Sequence, residues 1–357
     1  MRDPARATLS LGFDLGGTNI RTAVAAVAAG AGVAAAAGGA AGAGDADVAV
    51  AAGAGDAAAA AGAGDAAAAA GVRFIGRDER RTPQSGADDV IVAMAESARA
   101  ALAEAGATAA DLEAVGCSAP GPLDHRTGIV HTTQNIAGFR GVRLAERLAA
   151  ALGVPAVTLD RDTVMAAVGE ALAGAAQGQR DWIYVTVSTG LGGAIVSGGR
   201  MVRGTTNTAG EIGHVPVGLD GPACRCGSTG CAEAYAAGRN IAEAYGVEDA
   251  SVVYARARAG EERAAALVRR AEAALGNLAV GLVNVLNPAL IVVGGSVAEH
   301  EPGHVLGPMR AAIAARAFAV PAGAVRIVPA ALGADVGLVG AVLAARQRAA
   351  GGGEWFL

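Results

Sequence analysis

Hydrophobic and polar positions along this chain fall into blocks that switch between short apolar runs and amphipathic helical stretches. The apolar segment 8–13 predicts a strand that runs into Asp14-Leu15-Gly16-Gly17-Thr18, a glycine-rich turn. Residues 88–105 have the spacing of an amphipathic helix, 114–118 that of a buried strand, and 142–152 that of a second helix closed by Gly153 and Pro155. A strand at 156–159 precedes a helix at 163–176, a strand at 182–187 and a hairpin over 193–202 turning at Gly198-Gly199. A long helix over 261–286 is stopped by Pro288, and the buried strand 290–293 leads into Gly294-Gly295. This alternation predicts an α/β architecture with ligands at the strand-to-loop junctions.

From about residue 30 to 71 the pattern disappears. The tract is almost wholly Ala and Gly, with Gly-Ala-Gly-Asp recurring at Gly42, Gly53 and Gly62. Such small side chains bury too little apolar area to offset chain entropy, and glycines between the alanine runs disfavour a stable helix. A disordered or poorly ordered insertion is expected there.

The length of 357 residues is enough for two domains with sizeable cores. A net charge of −5 with scattered basic residues gives no electrostatic footprint for nucleic acid or an anionic membrane, which favours a small-molecule partner. No run of about 18 large apolar residues suggests a membrane span. The segment Met1–Leu9 has two arginines and no apolar core of about 7–15 residues, so a cytoplasmic location is expected.

Several clusters carry chemistry. In the first turn, glycine lets backbone N–H groups approach phosphate oxygens, Thr18 can donate a hydrogen bond, and Asp14 can orient a hydrated Mg²⁺. Gly16-Gly17 is equally at home in a plain tight turn. A second glycine cluster, Ser188-Thr189-Gly190-Leu191-Gly192-Gly193, follows another apolar strand, and two such loops on separate lobes can clamp one triphosphate. Neither is a Walker loop or a dinucleotide fingerprint, which disfavours a nicotinamide enzyme. Gly294-Gly295 either admits an adenine ring or simply ends a strand. His214 with Cys224, Cys226 and Cys231 gives one imidazole and three thiolates within eighteen residues, a closed Cys3His set expected to hold structural Zn²⁺ rather than form disulfides. Cys117 lies on an apolar strand and is expected as a buried small hydrophobe.

Five segments together resemble the ROK family of bacterial sugar kinases and sugar-responsive repressors. They are Asp14-Leu15-Gly16-Gly17-Thr18, Pro120-Gly121-Pro122-Leu123-Asp124, the second glycine loop, Glu211-Ile212-Gly213-His214, and the cysteine cluster continuing to Glu233. The resemblance covers nearly the whole chain outside the Ala/Gly tract. It implies the two-domain actin-like ATPase (ribonuclease H-like) fold, with ATP and sugar meeting in the cleft between lobes. The small lobe would comprise 1–134 plus about 330–350 and the large lobe 135–329. By the same resemblance Asp162 takes the proton from the sugar hydroxyl, although its place before a helix also suits an N-cap. Asn135, Arg161, Glu211, His214 and Glu233 would contact the sugar, and Asp14, Gly16, Gly17, Thr18, Thr189, Gly190, Gly192, Gly294 and Gly295 the nucleotide. His214 would face both zinc and sugar.

Family kinases usually show Asn-Asp where this chain has Arg161-Asp162. Arginine donates but cannot accept a hydrogen bond, so the change would alter sugar preference, favour an acidic sugar, or mark a chain that binds without phosphorylating. The function implied is ATP- and Mg²⁺-dependent phosphorylation of a hexose, glucose by default, in a homodimer. The alternatives are an N-acetylated amino sugar as substrate, or a non-catalytic sugar-binding regulator.

Overall fold

The computed structural model describes residues 8–28, 31, 63–133 and 136–352. Two five-stranded sheets share one topology. In the first, β1 (Thr8–Leu15) and β2 (Asn19–Val27) form a hairpin, α1 (Ala63–Ala69) follows, and β3 (Val72–Arg81) pairs antiparallel with β2. After α2 (Ala87–Glu104), β4 (Leu112–Ala119) enters parallel to β1. A small sheet of β5 (Leu123–Asp124), β6 (Ile129–Thr132) and β7 (Arg140–Val142) leads to α3 (Leu144–Leu152). Strand β8 (Thr158–Arg161) then completes the order β3-β2-β1-β4-β8, and α4 (Asp162–Ala173) starts from its end.

The second sheet repeats the plan. A hairpin of β9 (Trp182–Val187) and β10 (Leu191–Ser197) is extended by β11 (Arg200–Met201). The helices α5 (Ala232–Ala236), α6 (Gly238–Tyr245), α7 (Ala250–Arg258) and α8 (Glu262–Leu286) follow. Strand β12 (Leu290–Gly294) lies parallel to β9, and past α9 (Ser296–His300), α10 (Pro302–Arg316) and α11 (Ala319–Ala324) comes β13 (Arg326–Pro329), parallel to β12. The order is β11-β10-β9-β12-β13. The last helix, α12 (Val336–Ala349), returns to pack on β1, β4 and α4.

The inner strands read as near-continuous apolar runs because helices cover both faces. Leu11, Phe13 and Leu15 pack with Val90, Met94 and Leu148, while Ile183, Val185, Ile291 and Val293 pack with Leu275, Leu278 and Met309. Helix α4 packs under the second sheet through Val164, Val168 and their neighbours against Trp182 and Tyr184, and α12 crosses it under the first. Glu170 on α4 fixes that crossing. Its buried carboxylate accepts the N–H groups of Ala175, Ala331 and Leu332 at 2.7–3.0 Å, tying α4 to the loop that leads into α12. Burial raises the pKa of this carboxyl, and the three donors oppose the rise.

Two paired sheets with crossed helices between them form the two-domain actin-like ATPase fold. The details depart from sequence expectation: β2, β3, β5 to β7 and β13 carried no strand expectation, and three further points stand out. The end of the Ala/Gly tract is helical, because Ala67 buries against Val72, Leu332, Val339 and Leu343, and tertiary packing outweighs the flanking glycines. Most of that tract lies outside the described residues. Strand β8 ends at Arg161, so α4 starts at Asp162 and Arg161 stands at the cap position. The strand β8, although beyond residue 134, belongs to the first sheet. Among the described residues no helix is long and apolar enough to cross a membrane.

Candidate active site

A cleft of about 870 Å³ runs between the sheets and is lined by both glycine turns, the start of α4 and the loop before the cysteines. On the first sheet, the hairpin register sets Asp14 opposite Arg21. The Arg21 guanidinium pairs with the Asp14 carboxylate and donates to Ala334 O at 2.7 Å, while Ser118 Oγ, at the end of β4, donates to Asp14 Oδ1 at 3.0 Å. The turn itself is braced by Gly16 N–H to Asn19 O (2.9 Å), Thr82 Oγ to Gly16 O (2.7 Å) and Gln84 Nε2 to Gly17 O (2.9 Å). Helix α12 begins beside it. A Cβ on Gly337 would lie 2.9 Å from the Asp14 carboxylate, so glycine is what lets the helix N-terminus come this close.

On the second sheet, Ser188-Thr189-Gly190 makes the corresponding turn. Ser188 N–H donates to Gly190 O (2.9 Å), Gly238 N–H donates to Ser188 O (2.8 Å), and the hydroxyls of Ser188 and Ser296 lie 2.9 Å apart. Glu233, on α5, accepts Leu191 N–H at 3.0 Å through Oε2. Thr18, Thr189, Gly190 and Gly192 line the cleft together with Gly16 and Gly17. Gly294 and Gly295 stand outside that lining, packed against Tyr184, Thr186 and Val187 behind the turn.

Between the two turns stands Asp162, in the first turn of α4. Its carboxylate stays open to the cleft mouth, yet protein crowds its other sides. That desolvation pushes its pKa up to about 6, opposed by the Thr163 N–H donated to Oδ1 at 2.7 Å; Asp14 and Glu211 raise it and Arg161 lowers it. The bond to Thr163 also gives it part of the capping role its position suggested. Arg161 is only 2% exposed. Its Nη1 donates to Glu211 Oε1 at 2.8 Å and its Nη2 to Ala209 O at 2.6 Å. The preceding Asp160 is fully buried, accepts Arg161 N–H at 2.8 Å and pairs with Arg203 at 2.7 Å. Asn207 accepts from Arg203 at 3.3 Å and donates to Leu123 O at 2.9 Å, so the loop bearing Ala209 and Glu211 is fastened to β8 and β5.

His214, Cys224, Cys226 and Cys231 bring four ligand atoms within 4.8 Å of one another. Cys226 Sγ lies 3.7 Å from Cys231 Sγ, and His214 Nδ1 lies 3.6 Å from Cys224 Sγ. Tetrahedral bonds of about 2.3 Å to sulfur and about 2.0 Å to nitrogen give edges of about 3.8 and 3.5 Å, so the set fits a four-coordinate ion. Burial pushes the Cys231 thiol up to about 12. With Nδ1 turned to the sulfurs, the His214 ring also lines the cleft. Cys117 is fully buried and remote in chemistry from this cluster; burial raises its pKa strongly.

Asp14, Asp162, Arg161, Glu211, His214 and Glu233 therefore share one cleft, while Asn135 lies outside the described residues. Sequence reasoning assigned no role to Arg21, Ser118 or Gly337. Arg21 was visible in the motif, but its pairing with Asp14 follows only from hairpin register. The contacts of Ser118 and Gly337 span more than a hundred residues and left no local signal.

Comparison with known proteins bears on this geometry. The ROK family model matches residues 47–348. A glucokinase of Halalkalibacterium halodurans is 34% identical over 250 residues, 64% of this chain and 75% of that protein. An N-acetylmannosamine kinase of Escherichia coli O9:H4 is 39% identical over 170 residues, 46% of this chain and 57% of that protein. The crystal structure of a ROK hexokinase from Thermus thermophilus matches with a TM-score of 0.71 and 32% identity, over 97% of this chain and 100% of that one.

Proposed function

The chain belongs to the ROK family, and we propose that it is an ATP-dependent sugar kinase, transferring the γ-phosphoryl group of ATP to the 6-hydroxyl of a hexose, glucose by default. The observation that carries this reading is the Asp162 carboxylate at the start of α4, which lines one cleft together with two glycine turns from separate sheets. With a pKa near 6, Asp162 is ionised at neutral pH and close enough to that value to accept a proton. The sugar hydroxyl loses its proton to Asp162 as its oxygen attacks the γ-phosphorus, and ADP leaves. Backbone N–H groups of the glycine turns and the N-terminus of α12 offset charge on the phosphates. Asp14 is the residue suited to hold a hydrated Mg²⁺, which supplies further charge neutralisation when bound.

Glu211 and Glu233 present acceptors to the sugar hydroxyls, and His214, with Nδ1 turned to the sulfurs, presents its Nε2–H as a donor. We assign the Cys3His cluster to Zn²⁺ in a structural role, because all four ligands come from the protein. The ion would fix the His214 ring in the orientation the sugar meets.

Measuring ADP release with glucose, mannose, N-acetylmannosamine, N-acetylglucosamine, fructose and uronic acids tests the reading, with Asp162→Asn as control. Turnover on at least one sugar, lost in the control, is expected. Saturable sugar binding with no turnover across the panel overturns the kinase in favour of a sugar sensor.

A further inference from the structure

Arg161 stands immediately before the proposed base and borders the cleft, yet it is only 2% exposed and its guanidinium is bonded to protein. Its stem crosses Gly121, where a Cβ would come 2.9 Å from Arg161 Cδ and 3.1 Å from Cγ, so glycine there is what admits it. Both ends of the guanidinium are engaged, Nη1 by Glu211 Oε1 and Nη2 by Ala209 O, and Nε is buried. The backbone beneath is locked by Asp160, itself paired with Arg203. Glu211 is the opposite case. It lines the cleft with its side chain 46% exposed.

A free carboxylate can accept hydroxyls on two adjacent carbons, one at each oxygen. Here a part-buried, charge-assisted bond turns Oε1 toward the Arg161 guanidinium and holds the carboxylate in that orientation. We propose that Arg161 is a positioning residue that sets sugar specificity without touching the sugar, by restricting Glu211 to recognition of one hydroxyl through its remaining oxygen. The inference rests on the kinase reading and on Glu211 as a sugar contact. It follows that the site insists on one hydroxyl at this corner and tolerates deoxygenation, epimerisation or an acylated amine on the neighbouring carbon. It also follows that Arg161 gives no preference for an acidic sugar, because Glu211 already balances its charge.

The test is kcat/KM for the best hexose and its monodeoxy analogues in the wild type, Arg161→Met, Glu211→Gln and the double variant. In Glu211→Gln the penalty for losing one particular hydroxyl shrinks. In Arg161→Met a second, adjacent hydroxyl becomes important, its loss now costing roughly tenfold or more, and this new dependence vanishes in the double variant. Gly121→Ala displaces the stem while leaving every charge in place, and it shifts the profile in the same direction; it carries the test should Arg161→Met fail to fold. An unchanged deoxy profile in Arg161→Met or Gly121→Ala overturns the inference while the kinase stands, as does a new dependence that persists without Glu211. A wild type that phosphorylates no sugar overturns the kinase reading and this inference together.

Discussion

The two glycine turns occupy the same place in two sheets of the same topology, each joining the first strand to the second. They are built by different means. The first carries Asp14, matched by Arg21 and Ser118, with the N-terminus of α12 beside it. The second has no ionisable group from Ser188 to Gly190; the Gly238 N–H donates to Ser188 O, and the Leu191 N–H donates to the side-chain carboxylate of Glu233. Shared topology thus provides a backbone cradle twice; the charge sits on the hairpin itself in the first copy, as Asp14, and comes from a separate helix in the second, as Glu233. In the function proposed above, that asymmetry would give the cleft a direction, with the cation at the first turn, phosphate at the second and Asp162 between them.

If the two sides divide the work in this way, the base should be the most sensitive position. Asp162→Asn is expected to lower kcat by about 10²–10⁴ with little change in sugar affinity, checked by steady-state kinetics and sugar titration. The wild-type rate should also fall about tenfold per pH unit below about 6, because the protonated carboxyl cannot accept the sugar proton. Next comes the charged turn. Asp14→Asn should lose about 10–100-fold in apparent Mg²⁺ affinity, with activity partly restored by added Mg²⁺; an unchanged Mg²⁺ titration would assign the metal elsewhere. Chelation of the Cys3His ion should lower the Tm by several degrees and weaken sugar binding more than nucleotide binding, followed by metal analysis, melting curves and calorimetry. The smallest effect belongs to the second turn. A Cβ at Gly190 would lie 3.1 Å from Glu233 Oε2, so Gly190→Ala should raise KM for ATP a few-fold and leave kcat nearly intact. A large loss of kcat there would break the proposed division.

The apolar blocks made β1, β4 and β8 to β12 legible in the sequence, because residues such as Trp182–Val187 are almost wholly buried; β2, β3, the small sheet and β13, whose runs mix apolar with charged or small residues, were not read as strands. Clusters contiguous in sequence were equally plain: both glycine turns and the cysteine loop. What escaped depends on distance. Arg161 stood out as a departure from the family, but its grip on Glu211 joins residues 50 apart, and no local periodicity records it. The helix Ala63–Ala69 was misjudged for a similar reason. Its composition argues against order, and the apolar partners that order it, Leu332 and Val339, lie at the far end of the chain.

The Ala/Gly tract enters and leaves at one hairpin. Val27 pairs with Val72, and Ala28 N–H donates to Gly71 O at 2.9 Å, so the chain ends flanking it are already fastened together. Closing a longer loop between fixed ends adds cost only logarithmically with its length. This makes the hairpin a place where the length of the tract can change at little cost to the closure of the fold. For the protein engineer it is a docking port, where a reporter spliced ahead of α1 would ride on the enzyme without entering its cleft.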